Sequence, residues 1–309
     1  KKSMYKNVLI TGGAGFVGWS WAKRLGDVDI TLIDLPGRFT EEQKKHYNCI
    51  ECDISDTDKM SSLDLNGIDY VYHIAAQPGG RSSLDDPQKD CMWNCLGTVN
   101  VVELCRRIRP KKVIYISSMA VYGNQKNVTE ETLTQPTSYY GVSKLAGEYY
   151  TKLLWEFDKI PYTIFRLFAT YGYGQDLNVM NQGIVSIYLK LALMSNTLDI
   201  TLGKDSKRQL IHIDDVTTAF TYAPDVITDN KTYNLTYDEI ITPKKIINQL
   251  GESLGRELMI NEIEGYEGDQ TMITGIANKF WADTGWSPKV NLETGVNTFV
   301  KEVQRETKN

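Results

Sequence analysis

The 309-residue chain has no apolar run long enough to span a bilayer and no secretory leader pattern at its start. It has no surplus of positive charge. Its 34 Lys+Arg against 39 Asp+Glu leave a net charge of −5, so the chain as a whole has no electrostatic pull toward nucleic acid or an anionic membrane. Cysteine is scarce and odd in number, five in all, which fits a reducing cytoplasm better than a disulfide-stapled scaffold. Cys49 and Cys52 form a Cys-x-x-Cys, but they fall in an expected strand at 47–52 and would point to opposite faces. They read as core residues, and no metal site is expected. There are no internal repeats and no low-complexity linker, which leaves one large globular unit or two interleaved ones.

What is present is alternation. Strand-like runs at 7–10, 29–33, 47–52, 69–74, 112–117 and 162–167 are separated by helix-like stretches near 16–25, 57–63, 84–107 and 139–157. That order predicts an α/β chain with a doubly wound parallel sheet of Rossmann type. Val113-Ile114-Tyr115-Ile116 is apolar throughout, as a strand covered on both faces should be. After Thr170 the pattern changes. A loop marked by Gly172, Gly174, Asp176 and Asn178 leads to a helix near 182–195 and a strand at 198–202. Asp214-Asp215-Val216 opens a helix with acid at its positive end, and 232–235 reads as a late strand. The expected division is a dinucleotide-binding domain over 1–170, joined by elements near 212–235. A smaller C-terminal substrate-binding domain is expected from 171–211 and 236–309.

The most informative segment is Thr11-Gly12-Gly13-Ala14-Gly15-Phe16-Val17-Gly18, between an apolar strand and an amphipathic helix. A tight turn, a close approach to a pyrophosphate and a helix touching its strand each require a residue without Cβ. The helix N-terminus then offers unpaired N–H groups to an anion. Asp34 ends the following strand, where a carboxylate can accept from the adenosine ribose hydroxyls and repel a 2′-phosphate. NAD is therefore favoured over NADP, with Arg38 the nearby basic group that pulls the other way.

A second constellation is Tyr140-Gly141-Val142-Ser143-Lys144. Residues four apart share a helix face, so an ammonium at Lys144 is expected to lower the phenol's pKa and fit Tyr140 for acid–base work on a hydroxyl. Ser117 and Ser118 end the fifth strand, where ligand is expected. Ser118 can relay a proton there or hold the hydroxyl being oxidised; either serine can equally cap a turn.

With these residues in place, the chain resembles the extended short-chain dehydrogenases/reductases of the NAD-dependent sugar-nucleotide epimerase/dehydratase family over most of its length. The matching pieces are the glycine turn at 11–18, Asp34, Asp53-Ile54, His73 to Ala76, Asn94 to Thr98, Ser117 to Gly123, the Tyr140/Lys144 pair, Arg166 to Gly172, and the segment from Arg208 to Val216. The resemblance implies that NAD is held by Gly12, Gly15, Phe16, Val17, Gly18 and Asp34. Asp53 and Ile54 are implied at the adenine, Ala75 and Ala76 lining the cofactor, and Asn94 approaching it from its helix. Ser118, Tyr140 and Lys144 form the implied catalytic set, with Tyr140 and Lys144 also on the cofactor side. Arg208 is implied at a substrate diphosphate, and His73 as a packing residue. Relatives commonly dimerise through the helices that here are 84–107 and 139–157, with Tyr149, Tyr150, Leu153 and Leu154 as an apolar seam or as monomer core.

Departures from the family narrow the reaction. Its 4,6-dehydratases carry an Asp-Glu pair after the catalytic hydroxyl residue, where this chain has Met119 and Ala120, which transfer no protons. Ala169 replaces a polar substrate contact. Gln77-Pro78-Gly79-Gly80-Arg81 resembles the loop of uronate-recognising 4-epimerases, so Gln77, Arg81 and Ala169 join Ser118 and Arg208 as expected substrate contacts. The expected activity is NAD-dependent inversion of C4 of a nucleoside-diphosphate hexose through a 4-keto intermediate, by a cytoplasmic homodimer. The alternatives are a 4-keto reductase or dehydrogenase and a 2-epimerase of a deoxysugar nucleotide. A 4,6-dehydratase and a non-catalytic dinucleotide-binding protein stand behind these.

Overall fold

The computed structural model describes residues 6–26, 28–180, 183–201, 203–265 and 273–306. The first half runs β1 (Asn7–Thr11), α1 (Phe16–Leu25), β2 (Asp29–Asp34), α2 (Glu41–His46), β3 (Asn48–Glu51), α3 (Thr57–Ser62) and β4 (Tyr70–His73). Then come α4 (Gly80–Asp85), α5 (Pro87–Asp90), a π-turn (Cys91–Leu96), α6 (Gly97–Ile108), β5 (Lys112–Ser118), a 3₁₀ turn (Met119–Tyr122), α7 (Tyr139–Asp158) and β6 (Tyr162–Leu167). The second half adds β7 (Ala169–Tyr171), α8 (Ile184–Met194), β8 (Thr197–Ile200), β9 (Arg208–His212), α9 (Ile213–Phe220) and β10 (Lys231–Leu235). It ends with β11 (Ile240–Ile241), α10 (Pro243–Leu254), β12 (Met259–Glu262), α11 (Asn278–Thr284) and α12 (Leu292–Glu306). Of the expected helix at 182–195 and strand at 198–202, positions 182 and 202 lie outside the described residues.

Seven parallel strands form the main sheet in the order β10-β6-β5-β4-β1-β2-β3. The chain moves outward from β1 to β3, then crosses to β4. Strand order therefore reverses between β1 and β4, and a crevice opens beyond their carboxyl ends. Both faces of the sheet are buried. Trp21 of α1 and Phe220 of α9 pack on Tyr72 and Phe165, and the Tyr72 hydroxyl donates to Phe220 O at 2.9 Å. On the other face Leu9, Val71 and Val113 meet Val101 and Leu104 of α6 and Leu154 of α7. Leu154 is thus core, whereas Tyr149, Tyr150 and Leu153 are exposed.

The single helix expected over 84–107 is broken. Asp86 leaves the helical region ahead of Pro87, as a residue before proline tends to, and its carboxylate caps α5 by accepting from Lys89 N at 2.9 Å. The π-turn then adds its wider coil before α6. Helix α2 is short and charged along its length. Its signal is the Thr40-x-x-Gln43 capping box, in which each side chain bonds to the other's backbone N–H. Strands β7, β9 and β11 form a separate small sheet in the order β11-β9-β7. This sheet carries Ala169 and Arg208, and a second hydrophobic cluster lies around it from α8, α10 and α12.

Candidate active site

The glycine turn closes on the end of β2. The amides of Gly12 and Gly13 donate to Ile33 O at 2.8 and 3.2 Å, and Gly15 N donates to Gly12 O at 3.1 Å. Gly12 has φ 73°, and a Cβ there would lie 2.7 Å from Ala75 N, so the loop after β4 seats directly on the turn. A Cβ at Gly18 would lie 2.1 Å from Gly12 O. Helix α1 begins at Gly15 without a side-chain cap, leaving its first N–H groups facing an open cradle. The shape and donor set suit a pyrophosphate.

Asp34 stands beside this cradle, half-buried, its carboxylate accepting from Ala14 N at 2.9 Å and Leu35 N at 2.8 Å. Lone pairs remain for ribose hydroxyls. Asp53 is held by Ser55 at 2.8 Å and by the Trp93 indole at 3.2 Å. The Ile54 side chain is buried against Gly97, where a Cβ would come within 2.6 Å of it, and Asn100 holds its carbonyl at 2.8 Å. Phe16 and Val17 lie in the first turn of α1, and Ala75 and Ala76 line the loop after β4, all partly exposed.

Asn94, fully buried in the π-turn, spends its amide within the protein. It accepts from Gln77 N at 2.7 Å and donates toward Gln77 O, Asp90 and Ser143 at 3.1, 2.9 and 3.0 Å. One side chain thereby ties the loop after β4 to the helix of Tyr140. Gln77 itself is buried and donates to Ser82 O at 2.9 Å. Arg81, on α4, is exposed and 3.6 Å from Asp85. Ala169 pairs with Leu210 across β7 and β9, and Arg208 is buried at the start of β9.

Helix α7 carries the chemistry. Ser138 caps it by accepting from Gly141 N at 3.0 Å. Gly141 lets it lie on the 3₁₀ turn, since a Cβ there would be 2.5 Å from Ala120 O. This contact brings Tyr140 near Ser118, whose hydroxyl favours the phenolate electrostatically and accepts from Ala120 N at 3.2 Å. The lowered phenol expected from a neighbouring ammonium is not what the structure holds. Burial pushes Tyr140 up to about 12, opposed by the nearby Ser118 hydroxyl. Burial also pulls Lys144 down to about 7, against the carboxylates of Glu148 and Asp90. In a low-dielectric site desolvation exceeds the pairwise attraction. Met119 packs against the cluster of Val121 and Tyr122, and Ala120 is buried.

Two further groups emerge. His73 is buried, with Nδ1 2.7 Å from Thr11 Oγ1 and Nε2 2.9 Å from Thr98 Oγ1. Burial and the Lys144 charge push it to about 3, so it stays neutral. Beneath Ser118, Ser117 donates to Glu148 Oε1 at 2.6 Å. Arg166 meets both Glu148 oxygens at 2.8 and 2.7 Å and reaches the Tyr122 hydroxyl at 2.7 Å, which in turn bonds Asn234 at 2.7 Å. The sequence signal for Glu148 is its place on the stripe Tyr140, Lys144, Glu148, at four-residue steps on one helix face.

Known proteins resemble this chain over most of its length. Over 226 residues (70% of this chain and 72% of the relative) the chain is 30% identical to the UDP-glucose 4-epimerase of Mycolicibacterium smegmatis. The structure of a UDP-glucose 4-epimerase from Thermotoga maritima with UDP-glucose superposes with a TM-score of 0.89 at 26% identity, covering 98% of this chain and 100% of that one. The UDP-glucuronic acid 4-epimerase of Bacillus cereus, in complex with UDP-glucuronic acid and NAD, gives 0.86 at 27% identity, covering 97% and 99%. The description of the NAD dependent epimerase/dehydratase family matches residues 8–236, and the chain belongs to that family.

Proposed function

We propose that this chain is an NAD-dependent nucleotide-sugar epimerase that inverts C4 of a nucleoside-diphosphate hexose. The observation that carries the reading is Tyr140 close enough to Ser118 for that hydroxyl to favour the phenolate, one helical turn from Lys144 and in a fold whose glycine turn suits a dinucleotide. Gly12, Gly15, Phe16, Val17 and Gly18 hold the pyrophosphate of NAD. Asp34 takes the adenosine ribose, Asp53 and Ile54 border the adenine, Ala75 and Ala76 line the cofactor, and Asn94 fixes that wall. NAD, when bound, supplies the two-electron acceptor and donor for the sugar carbon.

Tyr140 removes the C4 hydroxyl proton, directly or through Ser118, and later returns one. Tyr140 and Lys144 titrate together. With Lys144 near 7 and Tyr140 near 12, the first proton leaves the pair around neutral pH. A phenolate beside an ammonium has the same proton count as a phenol beside an amine, and it is the phenolate form that acts as base. Between the two transfers the 4-keto sugar turns about its anomeric link and presents its other face.

Gln77, Arg81, Ala169 and Arg208 contact the substrate, with Arg208 at the diphosphate. Residues 1–170 with elements near 212–235 serve the cofactor; 171–211 and 236–309 cover the substrate. Met119 and Ala120 offer no acid or base for C5–C6 elimination, which speaks against a 4,6-dehydratase. The protein works in the cytoplasm as a homodimer, with exposed Tyr149, Tyr150 and Leu153 of α7 supplying the apolar seam. No helix among the described residues is long and apolar enough to cross a membrane.

Proton NMR of a panel of UDP-, GDP- and CDP-sugars in deuterated water tests the reading. C4 inversion without solvent deuterium is expected. Deuterium at C5, or net consumption of reduced cofactor, overturns it.

A further inference from the structure

The geometry points to Tyr115 as a positioning residue that seats the Lys144 ammonium on the face of its ring. Lys144 Nζ lies 4.3 Å from the Tyr115 ring centroid, well inside the range where a cation is attracted by an aromatic quadrupole. Both residues are buried, Tyr115 completely, so water does not screen the attraction.

The fold is built around this contact. Tyr115 stands on β5 beneath α7, and its hydroxyl donates to Lys144 O at 3.3 Å. Gly147 makes the approach possible, because a Cβ there would lie 2.0 Å from the Tyr115 hydroxyl oxygen. His73 also lies beside the ring, with centroids 5.5 Å apart, and Tyr162 and Ile164 pack with it.

Glu148 and Asp90 support the Lys144 ammonium through space while each is hydrogen-bonded to other partners. On its own helix, Glu148 is held by Arg166 at 2.8 and 2.7 Å and by Ser117 at 2.6 Å, and Tyr140 is protonated. On α5, Asp90 accepts from Asn94 at 2.9 Å. In the π-turn the Cys95 thiol is pushed up to about 12 and is uncharged. On β4, His73 is neutral. The ring is thus a cation-attracting surface in contact with Nζ that holds no competing cation. It retains the ammonium at a depth where burial drives it toward the amine.

The consequence for turnover rests on the role proposed for Lys144; the contact itself does not. The test replaces Tyr115 by Phe, then by mono-, di- and trifluoro-Phe, near-isosteric rings of falling quadrupole. Lys144 is titrated by 13Cε NMR in the purified protein, its resonance assigned with Lys144→Arg. The Phe variant should titrate close to the parent. Each added fluorine should lower the Lys144 pKa, reaching about one unit in the trifluoro variant, with the acid limb of turnover moving down in parallel. A flat series in folded variants overturns the seat. A stepped NMR series with an unmoved acid limb supports the seat and tells against the proposed role of Lys144 in turnover.

Discussion

Replacing Arg166 by Met isolates the buried ion pair that underlies the site. Glu148 has no solvent exposure, and Arg166 supplies both of its strongest contacts, at 2.8 and 2.7 Å. Met fills much of the space and removes the charge, leaving a buried carboxylate with Ser117 at 2.6 Å and Lys152 at 3.8 Å. Breaking such a pair from one side costs about 3–5 kcal/mol, whereas removing both charges is often near neutral. Arg166→Met should therefore lose about 3–5 kcal/mol in urea unfolding. Adding Glu148→Gln in the same chain should recover at least half of that, because a neutral amide tolerates the site. The Tyr122 hydroxyl, which loses its 2.7 Å Arg166 partner in both variants, keeps its Asn234 partner at 2.7 Å. A loss below about 1 kcal/mol for Arg166→Met, the range of an exposed pair, would refute the reasoning. A double variant no more stable than the single one would refute it as well.

Other consequences are as direct. Gly18→Ala places a Cβ 2.1 Å from Gly12 O and 2.8 Å from Gly12 C. Both are backbone atoms, so α1 must shift. NAD affinity by calorimetry should fall roughly tenfold or more, and an unchanged affinity would exclude the cradle. Lys112→Met leaves the Asp229 carboxylate without its ion-pair partner and strands the carbonyls of Ala223 and Asp225 and the Thr228 hydroxyl, now held at 2.8, 2.9 and 3.0 Å. It should cost about 3–5 kcal/mol with kcat of the folded protein unchanged, since Lys112 begins the strand that Ser118 ends. The pH–kcat profile should rise through about 7 as the Tyr140/Lys144 pair gives up its first proton; activity falling across that range would reverse the assignment of base.

The parts of the fold legible in the sequence are those with strong local signals. Strands β1, β2, β4, β5 and β6 are apolar runs between turn signals, and the glycine turn is specified by backbone contacts that only glycine admits. Strands β7, β9 and β11 are two to five residues long. They exist because distant segments pair, which no local window reveals. The π-turn is also invisible, because Cys91 to Leu96 reads as ordinary helix. At the candidate site, spacing puts Tyr140 and Lys144 on one helix face and the strand pattern puts Ser118 at a strand end, but their electrostatics cannot be read that way. Spacing suggests that ammonium and phenol tune each other; only burial shows that desolvation governs both, and only the fold shows that Lys144 rests on the ring of Tyr115 on a neighbouring strand. Asn94 is similar. Its residue type marks a polar contact, but only the folded π-turn shows its amide locked onto Gln77.

The central claim is that Tyr140 moves the proton of the sugar carbinol. Its most direct test compares Tyr140→Phe with the parent at matched NAD occupancy, following C4 inversion by NMR. The account predicts a loss of about 10²–10⁴-fold in kcat with cofactor binding and melting temperature preserved. Undiminished inversion by the Phe variant would contradict it.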